Sequence, residues 1–123
     1  MISGMTVYQT THAAIENARK FETNEVFYVA DLVITGKDVE MTVRLFGDKP
    51  FANTDLVGKK PTEPKQNEAS FEIHSVKSIR MEKWTAVDDP THQWNVLLIE
   101  TDRGSGSIHM HPQEVRQETV VLY

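Results

Sequence analysis

Alternation of apolar and polar side chains dominates this chain and is clearest between residues 69 and 111. In the run 70–84, Phe71, Ile73, Ile79 and Met81 share one parity, whereas Val76 falls on the other and Lys77 sits among the apolar positions. Side chains of a strand alternate between its two faces. A bulge or bend near Ser75–Ser78 is therefore predicted, because one inserted residue brings Val76 inward and turns Lys77 out. Asp88, Asp89 and Pro90 supply a turn, and a strand over 94–101 follows. A second turn over 102–106 leads into a strand over 107–111. Three consecutive antiparallel strands result, and the rest of the chain is arranged around them.

Upstream, residues 25–34 are rich in β-branched and aromatic side chains on both parities, as in a central strand covered on both faces. Asp31 lies inside it, either at a solvent-facing rim or as a candidate site carboxylate. A hairpin turn at 35–38 leads to the strand 39–46, where Val39, Met41, Val43 and Leu45 point one way. Met5 to Gln9 reads as a short strand or extended arm. Ala14, Ile15, Ala18 and Phe21 then recur at helical spacing behind the capping hydroxyls of Thr10 and Thr11, which predicts one helix of about three turns stopping at Asn24. Residues 118–123 read as a last strand. The expectation is a single domain, 1–123, mainly β with one short helix. It would be a small antiparallel β-barrel or two-layer roll of about seven strands, with the helix covering one face or opening.

Residues 47–69 break the pattern. This stretch carries three prolines and four lysines against four acids, and predicts a long flexible loop. Phe51, Leu56 and Val57 are expected to pin its first half to the body, leaving Lys59 and Lys60 in an exposed tip. The lysines are interrupted by acids and prolines, unlike a phosphate-binding loop or a nucleic-acid tract.

With 39% hydrophobic and 25% charged residues the composition is that of an ordinary folded protein. A net charge of −5 disfavours non-specific binding to nucleic acid or anionic membrane. The absence of cysteine excludes a disulfide framework, a thiolate zinc site and a cysteine nucleophile. There is no apolar run of ~20 residues, and the first residues do not resemble a signal peptide, so a cytoplasmic protein is expected.

Two constellations could carry chemistry. Trp84 and Trp94, with Arg80, Lys83, Arg103 and Phe71, could stack a base or nucleotide, as on the face of an oligonucleotide-binding barrel. The competing explanation, favoured by the acidic charge, is a cross-strand tryptophan pair closing the sheet end. The second constellation is His109 and His111, which in a strand point to one side about 7 Å apart and could share a divalent metal. Glu114 could add an oxygen, and His74 or His92 a fourth group. Over residues 109–114 this loosely resembles the first half of the cupin metal motif, which implies a metal-dependent enzyme with a His-x-His site. The glutamate comes earlier than in that motif, no glycine follows it, and the second half is missing. Otherwise Ile108 and Met110 face the core and the histidines stand in water.

Hydrolytic chemistry has little support. There is no Gly-x-Ser-x-Gly elbow, Ser105 reads as turn, and Asp88 with Asp89 reads as turn chemistry. The expected function is a non-catalytic binding module without a cofactor. It would hold a partner protein or small polar ligand through its loop (Lys59, Lys60) and sheet face (Arg80, Trp84, Trp94), and form a homo-oligomer through its sheet edges. Single-stranded nucleic-acid or nucleotide binding, and metal-dependent catalysis, are the alternatives.

Overall fold

A computed structural model describes residues 4–36, 39–59, 67–112 and 121–122. These residues form β1 (Met5–Val7), β2 (His12–Glu22), β3 (Val26–Thr35), β4 (Glu40–Gly47), β5 (Thr54–Gly58), β6 (Glu68–Ala86), β7 (Gln93–Thr101), β8 (Gly104–Met110) and β9 (Val121–Leu122). They join one sheet in the order β1-β8-β7-β6-β4-β3-β2-β5, with β9 against the end of β6. Its ends, β1 and β5, do not pair, so the sheet is not closed.

β6 determines the shape. Its first half runs parallel to β4, and its second half runs antiparallel to β7. The changeover occurs at the predicted irregularity: Ser75 has φ 59, and the register shifts between Val76 and Ser78 on the β7 side. The inserted residue brings Ile73, Val76 and Ile79 to the same interior and sends Lys77 outward, where its Nζ lies 3.6 Å from Asp48 Oδ2. Gly47 sits at the same crossing. A Cβ there would meet the Val76 carbonyl oxygen at 2.8 Å, so a side chain would push the two strands apart. Around the bend, Leu97, Ile99, Ile108 and Met110 join Leu32, Ile34, Val43 and Leu45 in one interior. The opposite face of β7 carries a second, smaller cluster of Trp94, Val96 and Ala86 with Trp84 and Leu98.

The expected helix is not there: the described residues contain no helix, and this segment is β2, paired with β3 on one side and β5 on the other. Its misleading periodicity comes from a bulge. Asn17 has φ 57 and the register shifts between Glu16 and Arg19, so Ala13 and Ile15 face inward before it and Ala18 after it. The step of three from Ile15 to Ala18 imitates a helical turn, and pairing on both edges overrides local preference.

Four further expectations are revised. Two pairings, β1 with β8 and β4 with β6, are parallel rather than antiparallel. The described strands number nine rather than about seven. The stretch 47–69 contains β5, so it is not a loop throughout, and its residues 60–66 lie outside the described residues. The turn after β7 is also tighter than expected, with Gly104, Ser105 and Gly106 already in β8.

Candidate functional site

The two tryptophans stand directly opposite each other, Trp84 on β6 and Trp94 on β7, in the cross-strand pair that their distance from the turn implies. The turn itself is held by Asp89, whose Oδ1 accepts the Thr91 hydroxyl at 2.6 Å and the Thr91 amide at 3.1 Å. Those two hydrogen bonds keep the Asp89 carboxyl below its usual range. Their consequence is to deliver His92 beside the indole of Trp94, at 5.1 Å between ring centroids.

β8 completes the cluster. His109 lies opposite Val96, and its Nδ1 accepts the Trp94 Nε1–H at 3.0 Å. A nitrogen that accepts carries a lone pair, so within this hydrogen bond the ring proton of His109 sits on Nε2, 3.3 Å from Ser107 Oγ. His111 follows two residues on and stacks against Trp94 at 4.5 Å and against His92 at 5.5 Å. Its backbone joins the other edge of the sheet: the amide donates to the Val7 carbonyl and the carbonyl accepts from the Thr10 amide. Burial holds the His111 imidazole down at about 4, with repulsion from His92 and then His109 adding to the effect.

These contacts show where the residues of the two sequence-derived sites lie. Trp94 is only 3% exposed, so its faces are covered and it offers no platform for a base. Trp84 donates its Nε1–H to Glu82 Oε1 at 3.2 Å, and the Arg80 guanidinium lies 3.6 Å from Glu82 Oε2, which ties both to one carboxylate. Phe71 packs against the interior. Lys59 is exposed just after β5, while Lys60 lies outside the described residues.

Of the candidate metal ligands, His92, His109 and His111 come together, but as stacked rings with both nitrogens of His109 engaged. His74 is elsewhere, stacked on Phe46 at 4.4 Å, and Glu114 lies outside the described residues. No group of three or more His, Cys, Asp or Glu side chains among the described residues is placed to hold an ion. Asp31 is buried on the outer face of β3. It accepts from Arg44 Nε at 3.3 Å and Asn17 Nδ2 at 3.2 Å, with the Arg19 guanidinium at 3.6 Å, so it is a structural counter-ion.

A different feature opens on the unclosed side of the sheet. β5 pairs only with His12 to Ile15 of β2, and the segment leading into it is anchored where Asn53 Oδ1 accepts the Ala18 amide at 2.9 Å. Between this flap and β6–β7 remains a cleft of about 300 Å³ lined by Ile15, Phe51, Leu56, Val76, Ile79 and Leu97, with Lys49 and Lys77 alongside. Phe51 and Leu56, expected to pin the loop, do pack against the interior. They also form the wall of this cleft, which sequence reasoning missed because a gap between unpaired strands has no residue signature.

Fold and site together define an open, antiparallel-rich β-sheet domain with a closed indole–imidazole cluster on one face and an apolar cleft at its unclosed side. No known protein family, curated protein or solved structure matches this chain.

Proposed function

We propose that this protein is a non-catalytic binding module that takes a small ligand into the cleft between residues 49–56 and β6–β7. The cleft itself carries this reading: an apolar depth reaching Ile15 and Leu97, with a few polar groups at its wall, is the usual make-up of a small-molecule site. The long loop enters the reading as the wall of that site, through Phe51, Leu56 and Lys49. Stacking of nucleic acid on Trp84 and Trp94 is less well supported, since one ring is covered and the other is bound to Glu82. The binding module works without a resident cofactor, in the cytoplasm, and self-associates through the edge that β5 leaves unpaired among the described residues.

Titration of isotope-labelled protein with small neutral, anionic and cationic amphiphiles tests the reading through amide chemical shifts. The expected shifts cluster at Ile15, Phe51, Val76 and Leu97. If no compound moves these amides at millimolar concentration, or if responses gather at Trp84 and His109 instead, the cleft is not the binding site.

A further inference from the structure

The cleft beside β5 joins an oily depth to a cationic wall. In a chain of net charge −5, its described lining residues include two lysines and no acid. Ser78 adds a hydroxyl along the same lining, whereas the Thr54 hydroxyl donates to the Ala52 carbonyl at 3.2 Å. Lys77 is shared with Asp48, but the two side chains are 48% and 64% exposed, so water screens that pair and a ligand anion can replace Asp48 at small cost.

We infer that the cleft takes an unbranched aliphatic carboxylate, with its chain against Ile15, Ile79 and Leu97 and its carboxylate at Lys49 and Lys77. The inference rests on the binding reading proposed above and names the ligand class for that site. Charge complementarity selects the head group: an ammonium would meet two like charges, and an alcohol would gain no charge contact with either lysine. Volume sets how much of the tail the cleft can cover. A space of about 300 Å³ holds about ten non-hydrogen atoms at roughly 30 Å³ each, the share of one water in the liquid, which corresponds to a chain of about eight to ten carbons. The open side of the sheet lets longer chains extend into solvent.

Calorimetric titration of the full chain at pH 8, below micelle formation, with decanoate, decanol and decyltrimethylammonium tests this. Decanoate is expected to bind roughly five- to tenfold more tightly than decanol, from two screened charge contacts, and the ammonium most weakly. The double variant Lys49→Gln, Lys77→Gln changes only exposed head groups. It should erase the decanoate advantage over decanol, with native circular dichroism. Decanol binding as tightly as decanoate, or a double variant that keeps the preference, overturns the carboxylate assignment while localised shifts at Ile15 and Leu97 uphold the cleft. If none of the three ligands binds, both readings fall.

Discussion

His111 makes folding sensitive to acid in a defined window. Its imidazole has an ordinary value of 6.5 and is held at about 4 in the fold by burial first, then by His92 and His109. Below 6.5 the unfolded chain binds a proton that the folded chain refuses until about 4. Unfolding therefore takes up a proton across this window, and stability falls as the pH drops through it. Each pH unit between the two values is worth about 1.4 kcal/mol, so the whole window costs about 3 kcal/mol, a substantial part of a small domain's stability. Below pH 4 both states hold the proton and this contribution no longer changes. Urea unfolding followed by tryptophan fluorescence from pH 7 to pH 4 measures the effect in the native chain and in His111→Gln, which cannot titrate. The variant will be less stable at pH 7, but its stability curve should be flatter by about 3 kcal/mol over that range. Parallel curves for the two proteins would refute the reasoning, as would a His111 ring proton titrating above pH 6 in the native protein.

Other outcomes follow from single contacts. Gly58 has φ +59, and a Cβ there would come within 2.1 Å of the Thr11 carbonyl oxygen, so Gly58→Ala should cost about 2 kcal/mol or more and accelerate amide exchange in β5 ahead of β3. Trp94→Phe keeps an aromatic ring but removes the donor to His109 Nδ1. A loss of about 1–3 kcal/mol is expected, with imidazole nitrogen shifts showing the Nε2–H tautomer of His109 in the native protein and a mixture in the variant. Asp31→Asn weakens the attraction for Arg19 and Arg44, and because Arg44 is half exposed the cost should be only about 1 kcal/mol and shrink in molar salt.

Legibility in the sequence followed the kind of information each feature needs. The bulge in β6 was readable because Val76 and Lys77 clash with the parity of their own strand, a conflict contained within a few residues. In β2 the same device misled, since one extra residue at Asn17 turns a step of two into a step of three and a short run cannot separate bulge from helix. The parallel pairing of β4 with β6 left no trace, because alternation specifies which face is buried but not which strand lies alongside. The facing of Trp84 and Trp94 was legible from their distances to the turn, whereas the arrival of His92 in the stack depends on how Asp89 and Thr91 close that turn.

The long ribbon Glu68–Ala86 has a last consequence. It is common property of β4 on one side and β7 on the other, so no seam separates them among the described residues. A single proline or protease nick near Ile79 would withdraw backbone partners from β7 beside it, and the loss of the shared bend would strip the β4 side of its cover. The described strands are therefore expected to unfold together, with tryptophan fluorescence and far-UV circular dichroism giving coincident urea transitions.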